Sequence, residues 1–181
     1  MPARTDHVSD PALAAELLLA RRGQAFFARK LNELRDDDFA APSRVPGWSR
    51  AHVVAHVGYH ARALARLIEG AAAGVPVAMY DGPSQQAHEV EFGATLPVEA
   101  LRNLVAHAAV HLNVEWRDLP EAAWQRPVTL ADGEVVRAAD TVALRSREVW
   151  LRALDLRNGA VPDDLPAAMR ERVATVIHPQ P

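Results

Sequence analysis

Three imidazoles stand four residues apart in the segment VPGWSRAHVVAHVGYH, residues 45–60: His52, His56 and His60. Neutral imidazole ligates zinc, iron or nickel, and without a metal it takes and returns protons. A row of histidines on one surface therefore offers either ligation or acid–base chemistry. On an α-helix such a row drifts by only about 80° around the axis, so all three share one edge. A second set of reactive side chains follows late in the chain, where Arg145, Glu148, Arg152 and Asp155 recur at helical spacing. As an outer face this is a salt-bridged ladder, with each pair contributing a few tenths of a kcal/mol. The set is also bordered by Leu144 and Leu151 on one side and by Val149 and Leu156 on the other, which suits a wall of an internal polar cleft. A further histidine pair, His107 and His111, would allow a four-histidine site with His52 and His56 if the two helices faced each other that way. The chain has no cysteine, no phosphate-cradling glycine loop and no nucleophile elbow. Cysteine nucleophiles, thiolate ligands and the common nucleotide and hydrolase readings are thereby set aside.

The elements that must position these groups are helices. Pro46 and Gly47 break the chain before Ser49, a helix-capping residue, and an apolar helical pattern runs from there to about Gly70. Ahead of it, Ser9-Asp10-Pro11 opens a first long helix carrying Leu17, Phe27 and Leu31 at helical spacing, and Asp36 to Asp38 read as a solvated helix end or loop. Residues 75–92 read as a long connection carrying Met79, Tyr80 and Gln86; connections of that length are usually functional. Thr95 and Pro97 open a third long helix with the buried stripe Leu101, Val105, Ala108, Leu112 and Trp116. Val128, Leu130, Asp132-Gly133 and Val135 then predict a small β-hairpin. A fourth long helix follows over about 138–156, closed by Asn158-Gly159, and 163–177 reads as one more short helix before a ragged end at 178–181. The expected fold is all-α: an up-and-down four-helix bundle with a small β-hairpin before the last long helix.

At 181 residues the chain is long enough for one domain with a real core, and its net charge of −3 argues against nucleic acid as a partner. Of its 20 basic residues only Lys30 is lysine, a bias typical of a GC-rich bacterial genome. No secretory leader pattern and no apolar run of membrane-spanning length is present, so a cytoplasmic protein with no membrane partner is expected.

Three separated motifs now carry a resemblance: VPGWSRAHVVAHV; VPVAMY with the polar segment ending in EVEFGATLPVEALRNL; and LRSREVWLRALDLRNG. In this order they resemble the N-terminal domain of mycothiol-dependent maleylpyruvate isomerases, within the DinB-like superfamily of four-helix-bundle metalloproteins. The resemblance covers about residues 10–159. It implies a domain over 1–160, followed by a C-terminal helix or tail over 161–181 without the sterol-carrier-like domain that family members often carry. It also implies a divalent metal, usually zinc, held by a histidine of the second helix and by a glutamate and a histidine one turn apart on the fourth. Carried onto this chain, the ligands are His56 and Glu148, and the third place holds Arg152. A guanidinium has no lone pair to give a metal, so the set is incomplete unless His60 substitutes. The family's arginine for a substrate carboxylate is replaced by Gln86.

In the family the metal lowers the pKa of the mycothiol thiol, whose thiolate adds to the substrate double bond. The departures in this chain point instead to an isomerase acting on a small unsaturated or carbonyl-bearing carboxylate with an altered, metal-free site. Arg152, Glu148, His52 and His60 are its candidate catalytic groups, and Gln86, Tyr80 and Arg145 its candidate substrate contacts. The alternatives are a zinc- and mycothiol-dependent maleylpyruvate cis–trans isomerase or thiol transferase, and a non-catalytic bundle that binds a small molecule. Either a monomer or a homodimer is compatible with the sequence.

Overall fold

The computed structural model describes residues 6–82 and 84–177. Helix α1 (Pro11–Asn32) begins where Asp10 Oδ1 accepts the Ala12 N–H at 2.8 Å and Pro11 fills a first-turn position with no helical hydrogen bond to lose. Residues Asp36–Ala40 form a 3-10 turn that tucks Phe39 into the core, so the three aspartates belong to an ordered corner. Helix α2 (Arg50–Ala73) is the most buried element, and Gly74 ends it at φ +71°, a left-handed conformation that suits glycine.

The connection expected over 75–92 contains a helix, α3 (Gln85–Ala94). Its ten residues are too few for a stable isolated helix, so packing must hold it. Val90 and Gly93 are buried, and α3 lies against α2. A Cβ added at Gly93 would fall 2.7 Å from both Ala55 Cβ and Tyr59 Cε2, so the missing side chain is what permits this approach. Helix α4 (Val98–Asp118) buries Leu101, Val105, Ala108, Leu112 and Trp116, the stripe expected from its sequence. The hairpin forms as β1 (Pro127–Thr129) and β2 (Val135–Arg137), paired antiparallel with Val128 opposite Val136. Helix α5 (Asp140–Asp155) follows. After a 3-10 turn at Pro162–Asp164, α6 (Ala167–Ile177) buries Met169 and Val173 in the same core as α5; the ragged end expected at 178–181 lies outside the described residues.

The four long helices form the bundle, with α2 packed along α4 and α1 along α5. Gly23 lets α1 and α5 close up, since a Cβ there would sit 2.6 Å from Trp150 Nε1 and Val149 Cγ2. Contact between α2 and α5 is thinner, and that seam holds the polar residues of interest.

Candidate active site

The turn before α2 sets the register of the seam. Arg50, at the start of α2, donates from Nε to Leu156 O (2.6 Å) and from Nη2 to Arg157 O (2.9 Å), satisfying carbonyls left free at the end of α5. The Arg44 N–H adds a bond to Asp155 O at 2.9 Å. With the start of one helix fixed to the end of the other, residues a turn or two inward come face to face.

His56 and Glu148 meet there directly. Nε2 of His56 donates to Glu148 Oε1 at 2.5 Å, and the same oxygen accepts Arg152 Nε at 2.6 Å. Arg152 Nη1 continues to Asp155 Oδ2 at 2.7 Å. Burial pushes the Glu148 pKa up, but the His56 hydrogen bond and the charges around it, Arg152 included, outweigh burial and hold the carboxyl well below its usual range. Burial also raises the Asp155 pKa, an effect that Arg152 only partly offsets. Trp48 roofs the group, its ring 5.4 Å from that of His56 and 5.9 Å from the Arg152 guanidinium carbon.

His60 lies one turn deeper, its ring 5.9 Å from that of His56. Its Nδ1 is 3.2 Å from Arg145 Nη1. A guanidinium only donates, so Nδ1 is the acceptor and the neutral ring carries its proton on Nε2. Burial, reinforced by Arg145 and opposed by Glu148, lowers the His60 pKa to about 3, which keeps the ring neutral.

The structure separates several residues that the sequence grouped. Arg145 crosses the seam behind the cleft and does not line it: Nη1 also donates to Val57 O of α2 (2.9 Å), Nη2 donates to Gln24 Oε1 (2.8 Å), and the guanidinium borders a different cavity between α1 and α4. His52 serves the helix start, with Nδ1 accepting the Ser49 N–H at 3.2 Å and Nε2 lying 3.5 Å from Glu91 Oε2. Tyr80 is buried in the core, and Met79 faces the seam in its place. Burial, with Glu89 nearby, raises the Tyr80 pKa, so the phenol keeps its proton. His107 and His111 are exposed on α4, where His111 Nε2 lies 2.9 Å from Glu69 Oε1, so they form no four-histidine set with His52 and His56.

What remains is a cleft of about 310 Å³ on the α2/α5 seam. His56, His60, Glu148 and Arg152 form its polar wall, and Gln86, in the first turn of α3, stands at its edge. Two contributors were not visible from the sequence. Residues 130–132 of the hairpin close one side, and Arg147, exposed and without an ion-pair partner among the described residues, stands at the mouth. The hairpin itself was legible, but nothing in its spacing says where its turn points. Among the described residues, Trp116 Nε1 is the single side-chain polar atom both buried and without a partner. His60 Nε2, Glu148 Oε2 and Arg152 Nη2, which have no hydrogen-bond partner among those residues, therefore touch solvent.

These donors do not fit a three-ligand zinc centre. His56 and Glu148 are spent on each other, and the third position presents a guanidinium bonded to the very oxygen a metal would need. His60 does not substitute, because Arg145 claims its Nδ1 and leaves a proton on Nε2. The set is suited instead to recognising a carboxylate at the guanidiniums and to donating a hydrogen bond from a neutral imidazole to a carbonyl oxygen.

Residues 20–157 match the mycothiol maleylpyruvate isomerase N-terminal domain family. Two solved structures of mycothiol-dependent maleylpyruvate isomerase, one of them a histidine-to-alanine variant, superpose with a TM-score of 0.87. Identity is 39% to one and 38% to the variant, over 91% of this chain and 69% of each of those chains. No curated protein matches the sequence significantly. The bundle, the hairpin before its last long helix and the three sequence motifs agree with these matches: the chain belongs to the mycothiol maleylpyruvate isomerase N-terminal domain family.

Proposed function

We propose that the protein is an isomerase of small unsaturated or carbonyl-bearing carboxylates whose cleft works without a metal at the family's ligand position. The observation that carries this reading is the 2.6 Å bond from Arg152 Nε to Glu148 Oε1, which puts a fixed cation where the family places its third ligand. The family and its solved members, named as isomerases, support the reaction class.

Isomerising a double bond conjugated with a carbonyl requires weakening that π bond, which means drawing electron density onto the carbonyl oxygen. His60 Nε2–H is a neutral donor facing the cleft, suited to bind that oxygen as its charge grows. Arg147 and the open Nη2 edge of Arg152 hold the substrate carboxylate, and Gln86 adds a polar contact at the rim. If a thiol such as mycothiol adds to the double bond, His56, its Nε2 committed to Glu148, keeps Nδ1 to take the S–H proton as the C–S bond forms and to return it when that bond breaks after rotation, while Glu148 orients the ring and stabilises the imidazolium. Met79 and Leu144 supply apolar surface beside the reacting bond.

The test is turnover of maleylpyruvate and related unsaturated keto acids, with mycothiol supplied, by protein treated with a strong chelator and then assayed with and without added zinc. Turnover that survives chelation and gains nothing from zinc is expected. Activity that appears only with stoichiometric zinc would refute the metal-free reading, and no turnover of any such acid in either condition would refute the isomerase.

A further inference from the structure

The cavity between α1 and α4 is the one Arg145 faces, about 320 Å³ in volume and apart from the cleft described above. Arg145 is 2% exposed and has no carboxylate partner among the described residues; its hydrogen bonds go to Val57 O, His60 Nδ1 and Gln24 Oε1, all neutral. Glu148 opposes the cost of burying this cation only from a distance, so burial still pulls the Arg145 pKa down to about 10, and a buried cation without a contacting carboxylate is costly.

Its neighbours point the same way. Arg21 donates from Nε to Asn113 Oδ1 at 2.7 Å and is otherwise paired with Asp6. Because arginines only donate, they fix both nearby amides: Asn113 and Gln24 each turn the oxygen to an arginine, leaving Nδ2 and Nε2 without partners among the described residues. Trp116, also in the wall, holds the buried Nε1–H that has no acceptor among those residues. The polar groups around this cavity that lack a protein partner are thus donors: the Trp116 N–H is buried, and the two amide nitrogens meet solvent. The remaining wall is apolar, from Ala20, Ala109, Val110 and Leu112.

We propose that this cavity binds a small carboxylate with a short apolar body, its head answering Arg145 and the Gln24 and Asn113 amides, its tail against Leu112 and Val110. The carboxylate supplies the acceptors and the negative charge that the wall lacks, and the apolar side favours an organic acid over a bare inorganic anion. Arg145 joins this cavity to the other cleft, since its Nη1 also holds His60 Nδ1.

The experiment follows the Trp116 indole N–H resonance, assigned with Trp116→Phe, while the full chain is titrated separately with hexanoate, hexanamide and inorganic phosphate. Reading at Trp116 separates this cavity from any carboxylate bound beside Arg152. A saturable hexanoate shift is expected, with hexanamide and phosphate each at least about tenfold weaker. Arg145→Gln should weaken hexanoate by a similar factor, and Asn113→Leu, at a half-buried position, provides the same comparison if the first variant does not fold. No saturable shift, equal binding of hexanoate and hexanamide, a preference for phosphate, or hexanoate binding untouched by whichever variant folds would each overturn the proposal.

Discussion

Replacing His60 with Asn tests whether Arg145 locks this imidazole neutral. Asn Oδ1 can accept from Arg145 Nη1 where His60 Nδ1 now does, but it does not titrate. With a pKa of about 3 in the folded protein against an ordinary value of 6.5, His60 takes up a proton more readily in the unfolded chain. Stability must therefore fall as pH drops from about 6.5 towards about 3, and between about pH 7 and pH 5 this one residue accounts for about 2 kcal/mol. Urea unfolding of both proteins at the two pH values measures it. Any constant cost of the smaller side chain cancels, because only the change with pH is compared. The wild type should lose about 2 kcal/mol more than His60→Asn on acidification. Equal losses would mean that His60 accepts a proton in the folded state, and the neutral donor assigned to it would be wrong.

Arg152→Ala removes the cation shared by Glu148 and Asp155, both largely buried, and should lower stability by about 2–3 kcal/mol in denaturant unfolding; a loss below about 0.5 kcal/mol would make the pair a solvated surface contact. Arg147→Ala should raise KM for a carboxylate substrate by about tenfold with little change in kcat or Tm, because Arg147 is exposed and unpaired among the described residues. Gly93→Ala should cost about 1–3 kcal/mol by forcing α3 off Ala55 and Tyr59, visible as a lower Tm.

The long helices were legible because their apolar stripes repeat at helical period and their starts carry recognisable signals such as Asp10-Pro11 and Ser49. Helix α3 was not, since ten residues after a proline- and glycine-rich start show little periodicity and fold by resting Gly93 on α2. The charged stripe of α5 was readable as a ladder or as a cleft wall, and it is both. Glu148 and Arg152 face the cleft while Asp155 ties the ladder down. Arg145 left that stripe because a long side chain swings towards whichever acceptors a neighbouring helix offers, and Gln24 on α1 lies far away in sequence. His52 carried a local signal that spacing alone obscured: it stands three residues after Ser49, where a side-chain acceptor closes a capping box. That Arg147 and the hairpin turn border the cleft depends on how β1 and β2 sit on the bundle, which residue types do not encode locally.

The most direct test compares zinc binding by the wild-type chain and Arg152→His in competition with a chromophoric chelator. Restoring a lone pair at position 152 and freeing Glu148 from the guanidinium should tighten zinc binding by about 100-fold or more, and His56→Ala should abolish the gain. Wild-type protein that already binds one zinc tightly, and loses it on His56→Ala, would contradict a cleft built around Arg152 in place of a metal.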